Sequence, residues 1–353
     1  MICFRVDSSN SIGSGHVMRC LTLAHELNRK KIPVAFICCE HPGNLISHIK
    51  KKFRVLSILA RPTEMVADGA PKKIDWKWDA KKTVELLHQL TEPTDWLIVD
   101  HYQLDFKWEI HLRPHVKKMF VIDDLANRKH DCDLLLDQNY YLEQSRYVNL
   151  VQKNTRQLIG LDYLLLRREF EDARRNLLRK KGAIEKILVF FGGFDISNET
   201  CKTLAAIKGL ENRELFINVV IGATNKHCKT VQELIFTIPN AKLHIQIDNM
   251  AELMVLSDLF IGTGGGVTWE RCFLELPSIV ITMAENQVQA AKDLEKMGVI
   301  YYLGKSTHVA RDAIIKAIQL FLDNPHMADI MSKKCRNLVD GLGTNKVVNA
   351  LMN

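Results

Sequence analysis

Short apolar runs alternate along the chain with stretches whose apolar residues recur every three to four positions. Residues 2–6, apolar except for Arg5, predict a short buried strand. Val17, Cys20, Leu21, Ala24 and Leu27 then fall on one face of a helix. Residues 34–39 predict a second strand and 45–51 a helical stretch. Residues 97–99 and 120–122 are further short apolar runs, each followed by aspartate. Short strands that read as continuous apolar runs, spaced by amphipathic helices, predict parallel sheets covered on both faces.

Two stretches break the rhythm. Residues 59–77, with Pro62, Gly69 and Pro71, read as a loop or insertion. Residues 167–182 are dense in charge and helical in propensity, and a fresh strand at 187–191 restarts the alternation. The charged stretch reads as an interdomain connector with Gly182 near the boundary; an exposed basic helix within one domain is the alternative. The expectation is an N-terminal domain over 1–181 and a C-terminal domain over 182–353, the last helix being a candidate to pack back on the first. The fold class is α/β: two Rossmann-like domains with parallel sheets facing a central cleft, where ligands bind at the carboxyl ends of the strands.

Composition narrows the function classes. At about 150 residues per domain, 353 residues suit two domains, and 47% hydrophobic residues supply two cores and exclude disorder as the main state. The charge, 48 − 41 = +7, suits an anionic ligand. The positives are dispersed and aromatics make up only 7%, so nucleic acid is not expected as a partner. No apolar run approaches the roughly 18 residues of a membrane span, and no stable membrane association is expected. Arg5 and Asp7 in the opening run leave no signal-peptide pattern. Nine cysteines without a C-x-x-C pair read as buried, reduced thiols of a cytoplasmic protein.

Three glycine-rich turns lie between a strand and a helix: one at Gly13 and Gly15, one at Gly192-Gly193, and one at Gly264-Gly265-Gly266 with Glu270 a turn later. Glycine permits close backbone approach, and bare amides at a helix start attract anions. The first turn fails as a dinucleotide fingerprint because Met18 stands at the third glycine position. Gly304-Lys305-Ser306 is no P-loop, since Gly298 lies one residue too far upstream. Pro114 interrupts the His111/His115 pair and no H-E-x-x-H occurs, so neither a metal nor another cofactor is expected. His16 stands on the lip of the first glycine turn. If the ligand is a nucleoside diphosphate sugar, the diphosphate is already a good leaving group. The protein then has to stabilise departing charge, orient water or an acceptor, and remove a proton. Histidine, with an ordinary pKa of about 6.5, suits that last task.

Arg5-Val-Asp7, Ile12-Gly-Ser-Gly-His16 and Arg19-Cys20-Leu-Thr-Leu-Ala24 resemble the opening of the PseG-type family of UDP-2,4-diacetamido-2,4,6-trideoxy-β-L-altropyranose hydrolases. Asp100-His101-Tyr102, Asp123-Asp124, the run Cys132 to Asn139, and Leu166-Arg167-Arg-Glu169-Phe170 resemble its later motifs. Gly192-Gly193-Phe-Asp195, the run Asn249 to Met254, Glu270 and Ala284-Glu-Asn286-Gln287 continue the series in the second half. The resemblance implies a GT-B fold like that of MurG-type transferases. It also implies hydrolysis of the UDP-sugar to UDP and 2,4-diacetamido-2,4,6-trideoxy-L-altrose, with inversion and without metal, on the way to pseudaminic acid. Carried over residue by residue, His16 would be the base that activates water and Tyr102 would line the sugar pocket beside it. Gly13 and Gly15 would shape the loop around sugar and pyrophosphate, and Asn139 and Arg167 would contact sugar or phosphate. Gly192, Gly193 and Gly265 would cradle phosphate, Glu270 would accept from the ribose, and Asn286 and Gln287 would contact phosphates or sugar. Plainer readings stand beside these: Tyr102 as a packed rim aromatic, Asp123 and Asp124 as turn caps, Asn286 as a helix N-cap, and Glu270 as a solvated helix residue.

Residues 59–78 have no counterpart in that pattern and leave the identity of the sugar open. Two rival functions share the fold: a glycosyltransferase of MurG type, and a UDP-sugar-binding protein without turnover. The expected partner is a small-molecule UDP-sugar, and the expected state a monomer.

Overall fold

The structure is a computed structural model that describes residues 1–61, 74–141, 145–175, 177, 182–210 and 214–352. Most of the expected insertion at 59–77 and the end of the expected connector, residues 178–181, lie outside the described residues. The chain divides into two compact units: residues 1–165 with 342–353, and residues 166–341.

The first unit is built on β1 (Ile2–Val6), β2 (Val34–Cys39), β3 (Arg54–Ile58), β4 (Trp96–Asp100), β5 (Lys118–Ile122), β6 (Leu134–Asp137) and β7 (Arg156–Ile159). They form one sheet in the order β3-β2-β1-β4-β5-β6-β7, and every described pairing is parallel. Helices Gly15–Arg29, Ile46–Ile49, Trp76–Leu87 and Phe106–Leu112 follow β1, β2, β3 and β4. The side-chain alternation of β1 shows why both sheet faces need cover. Ile2, Phe4 and Val6 join one core with Val17, Leu21 and Leu27, while Cys3 joins the other with Ala35, Ile37 and Trp108. Strands buried on both faces have no polar side, which is why they read as continuous apolar runs.

Arg5 is the exception in β1 and is fully buried. Its guanidinium is forked onto Asp7 and Asp79, at 2.6 Å each at closest, and Trp108 donates its indole N–H to Asp79 at 2.8 Å. A buried charge persists only when paired and hydrogen-bonded in this way.

The second unit repeats the plan. Strands β8 (Lys186–Phe190), β9 (Phe216–Ile221), β10 (Ala241–Ile245), β11 (Leu259–Gly262), β12 (Ser278–Thr282) and β13 (Tyr301–Lys305) lie in the order β10-β9-β8-β11-β12-β13, again parallel. In each unit the order reverses beside the first strand, between β1 and β4 and between β8 and β11. The carboxyl ends of those strand pairs are where open α/β sheets bind ligands.

The division of the chain differs from the expected boundary at 181/182: it falls between Leu165 and Leu166. The charged stretch is no solvated connector over Arg168–Arg175, which form a helix of the second unit. Phe170 is fully buried, and Arg174 donates to the Phe273 carbonyl at 2.5 Å and pairs with Glu275 at 2.6 Å. At the far end, helix Gly343–Met352 belongs to the first unit. Val347, Val348 and Leu351 enter the core shared with helix Gly15–Arg29, and Trp96 donates its indole N–H to the Leu351 carbonyl at 3.0 Å. No helix among the described residues is long and apolar enough to cross a membrane.

Candidate active site

In the first unit the site grows from the loop after β1. Ser9 organises it: its carbonyl accepts from Gly13 N at 2.9 Å, and its hydroxyl accepts from Ile12 N at 3.0 Å. Gly13 turns the chain with φ of +86°, a region that glycine enters without strain. A methyl at Gly13 or Gly15 would meet no atom within 4 Å, so both face open space. The loop delivers His16 into the first turn of helix Gly15–Arg29.

Asp100, at the end of β4, meets that turn. His16 Nδ1 lies 2.6 Å from Asp100 Oδ1, and Arg19, one helical turn on, donates Nε and Nη2 to the same carboxylate at 2.6 Å each. These charge-assisted bonds outweigh the cost of burying Asp100 and hold its carboxyl well below the usual range. An ionised Asp100 accepts a hydrogen bond from Nδ1–H, which in the uncharged imidazole leaves the Nε2 lone pair available for chemistry. Tyr102 packs its ring edge-on against His16, with centroids 4.4 Å apart, and donates its hydroxyl to Asp124 at 2.8 Å. Burial pushes the Tyr102 phenol up, with Asp124 adding to the effect. Its proton is held by Asp124, and its ring packs on His16.

Asp124, after β5, is the second hub: besides Tyr102 it accepts from Arg19 Nη1 at 2.8 Å and from Asn139 Nδ2 at 3.4 Å. It is therefore no simple turn cap. Asp123 does cap the following turn, accepting from Ala126 N at 2.9 Å, and it also accepts from Arg128 at 2.7 Å and from the Tyr147 hydroxyl at 2.9 Å. Asp137, at the end of β6, pairs with Arg146 and accepts from Asn139 N at 3.1 Å; burial raises its pKa to about 7. His101 Nδ1 accepts from Gln103 N, and Nε2 stands 3.4 Å from Asp7 Oδ2, which ties the start of the glycine loop to the end of β4.

The first glycine turn singled out Gly13, Gly15 and His16, and the family resemblance added Tyr102 and Asn139; the structure brings His16, Tyr102 and Asn139 into one network. It adds Arg19 and Asp100, present in the quoted motifs without an assigned role, and Asp124, read there as a turn cap. The i, i+3 spacing of His16 and Arg19 on one helix face was the available signal for Arg19.

The second unit gathers its own group at the ends of β8 and β11. Gly192, with φ of +86°, faces open space, and Gly193 is packed so closely on Gly222 that a methyl on the latter would lie 2.5 Å from the Gly193 carbonyl oxygen. After β11, Gly265 takes φ of +94° and Gly266 faces open space. Gln287 closes over this turn: its Oε1 accepts from Thr263 Oγ1 at 3.2 Å and from Met283 N at 3.0 Å, and its Nε2 lies 3.4 Å from where a Gly265 methyl would stand. Asn286 is exposed in the same turn, and the N-cap position of the following helix is taken by Gln287. Glu270, on helix Val267–Phe273, accepts from Arg167 Nε at 3.0 Å. Arg167 also pairs with Glu169 at 2.6 Å, so its charge faces carboxylates. Among the described residues no group of three or more histidines, cysteines or carboxylates is arranged to hold a metal ion.

Comparison with known proteins places these units. Residues 186–342 match the Glycosyltransferase family 28 C-terminal domain. The chain is 28% identical over 301 residues to the UDP-2,4-diacetamido-2,4,6-trideoxy-beta-L-altropyranose hydrolase of Campylobacter jejuni, covering 84% of this chain and 97% of that one. It is 30% identical over 200 residues to the spore coat polysaccharide biosynthesis protein SpsG of Bacillus subtilis, covering 56% of this chain and 58% of that one. The crystal structure of MurG from Acinetobacter baumannii superposes with a TM-score of 0.64 at 14% identity, covering 99% of both chains, which establishes the GT-B fold. Across 84% of its length the chain is thus similar to a UDP-sugar hydrolase, and residues 186–342 of its second unit match a glycosyltransferase family 28 C-terminal domain.

Proposed function

We propose that the chain hydrolyses UDP-2,4-diacetamido-2,4,6-trideoxy-β-L-altropyranose to UDP and 2,4-diacetamido-2,4,6-trideoxy-L-altrose, a step of pseudaminic acid synthesis. The observation that carries the reading is the His16–Asp100 contact of 2.6 Å through Nδ1, which leaves Nε2 to take a proton. A water gives its proton to Nε2, and its oxygen bonds to the anomeric carbon while the bond from that carbon to the diphosphate oxygen breaks. The electron pair of the broken bond leaves with UDP, and the single displacement inverts the anomeric centre. Asp100 stabilises the imidazolium that forms, as a triad carboxylate does. The diphosphate needs no protonation to depart, so a second carboxylic acid of the glycosidase kind is not required. Tyr102 and Asn139 would line the sugar, and Gly13 and Gly15 leave room at the loop. Gly192, Gly193, Gly265 and Gln287 would meet the phosphates, with Asn286 beside them and Glu270 on the ribose. No step is assigned to a metal ion or cofactor.

A second reading has its own support. The family 28 match in residues 186–342 favours transfer of the sugar to an acceptor hydroxyl, with His16 deprotonating that hydroxyl instead of water. The deciding experiment is UDP release from the proposed substrate in EDTA with no acceptor. Equimolar UDP and free sugar are expected for the hydrolase. Tight binding without release would replace it with the transferase or with a binding protein, and no binding would show that the sugar is wrong.

A further inference from the structure

Resting on the reading that Glu270 meets the ribose of a uridine diphosphate, we propose that Arg167 is a positioning residue that holds the Glu270 carboxylate for the ribose hydroxyls and does not itself touch the phosphates. Three observations carry this. Arg167 Nε donates to Glu270 Oε1 at 3.0 Å, and Nη1 lies 2.6 Å from Glu169 Oε1, so the planar guanidinium sits between two carboxylates, hydrogen-bonded to the first and ion-paired with the second. Its flat face lies on the Phe170 ring, 4.8 Å from the centroid, and that ring is fully buried, so the fork has a fixed base. Asp248 also acts on this guanidinium, so three acidic groups share one cation.

Without that cation the carboxylates would repel one another. Glu169 is already pushed upward by burial, with Glu270 and Asp248 adding to the effect. Glu270 would then turn away or take up a proton and lose the acceptor a hydroxyl needs. With Oε1 held by Arg167, Oε2 is the oxygen left for the ribose. A guanidinium already spent on two carboxylates is a poor receptor for a diphosphate, whose charge the glycine amides meet instead. Lysine has one point of charge on a flexible stem and cannot reproduce the fork.

The test is calorimetric binding of UDP and of 2′,3′-dideoxyuridine diphosphate to the full chain and to R167Q, R167K, E270Q and R167Q/E270Q, with thermal unfolding of each. The wild type is expected to prefer UDP. R167Q is expected to weaken UDP about tenfold, the loss of one charge-assisted contact, while leaving the dideoxy compound nearly unchanged. Its preference ratio should fall to that of E270Q, with no further fall in the double variant, and R167K should show the same collapse without the loss of charge. Equal weakening of both ligands by R167Q and R167K overturns the proposal in favour of a phosphate contact or a structural role, and an unchanged ratio overturns it outright. If the wild type binds UDP, such a result sinks the role of Arg167 alone. If the wild type does not bind UDP, the nucleotide reading falls and this inference with it.

Discussion

His16 was legible as a residue because a histidine on the lip of a glycine turn is an unusual use of that side chain. The contact that would make it a base was not legible, since its partner Asp100 lies 84 positions away. The same holds for Asp124, which is 105 positions from Arg19 and reaches it only because β1, β4 and β5 are neighbours in the sheet. A motif names residue types; which charge each one faces follows from strand order. Arg167 makes the point in reverse. The family resemblance implied a sugar or phosphate contact for it, and the structure sets it against Glu270 and Glu169. The residue-scale prediction concerns Asp100→Asn. An asparagine amide can present N–H to Nδ1 of His16 and so favour the tautomer whose Nε2 carries the proton. It also leaves Arg19 short of one counter-charge. We expect kcat for UDP release to fall by about 10²- to 10⁴-fold, the usual contribution of a positioned base, with KM changed far less. A kcat within threefold of wild type would remove Asp100, and with it the oriented base, from the mechanism.

Among the elements, β1 and β2 matched their apolar runs residue for residue because strands buried on both faces carry no competing periodicity. That helix Arg168–Arg175 belongs to the second unit was not legible, because its only buried side chain is Phe170, among seven residues that are mostly charged. A single buried aromatic gives no periodic signal. Glycines inside strands carry a different kind of information. Gly262 ends β11, beside the site of the second unit, and a methyl there would stand 2.0 Å from the backbone oxygen of Phe190 in the neighbouring strand. Backbone cannot rotate out of the way as a side chain can, so the two strands would have to part. Gly262→Ala is therefore expected to destabilise the chain by about 1–3 kcal/mol, as overpacking does, and to weaken UDP binding, because the β8 and β11 ends carry the glycine turns. Urea unfolding with parallel UDP titration checks both, and an unchanged midpoint would show that the strands separate at no cost.

On the scale of the whole molecule, the chain starts and finishes in the same unit. β1 belongs to the first sheet, and helix Gly343–Met352, which completes one of its cores, follows residues 166–341 in the chain. Domains generally fold as units during synthesis, the N-terminal part first. Here the first unit lacks Val347, Val348 and Leu351 until residues 166–341 have been made, so its stability depends on residues that follow the whole second unit. Leu351 is 4% exposed, and its carbonyl holds the Trp96 indole. Leu351→Ala removes a buried side chain and is expected to cost about 2–5 kcal/mol. Hydrogen exchange should locate that loss in the first unit, with amides of β1, β4 and helix Gly15–Arg29 exchanging faster. His16 rides on that helix and Asp100 on β4, so turnover should fall at temperatures where the protection of these elements has fallen. Loss of protection confined to β8, β9 and β11 would mean that the final helix supports the second unit, and the assignment of residues 342–353 to the first would be withdrawn.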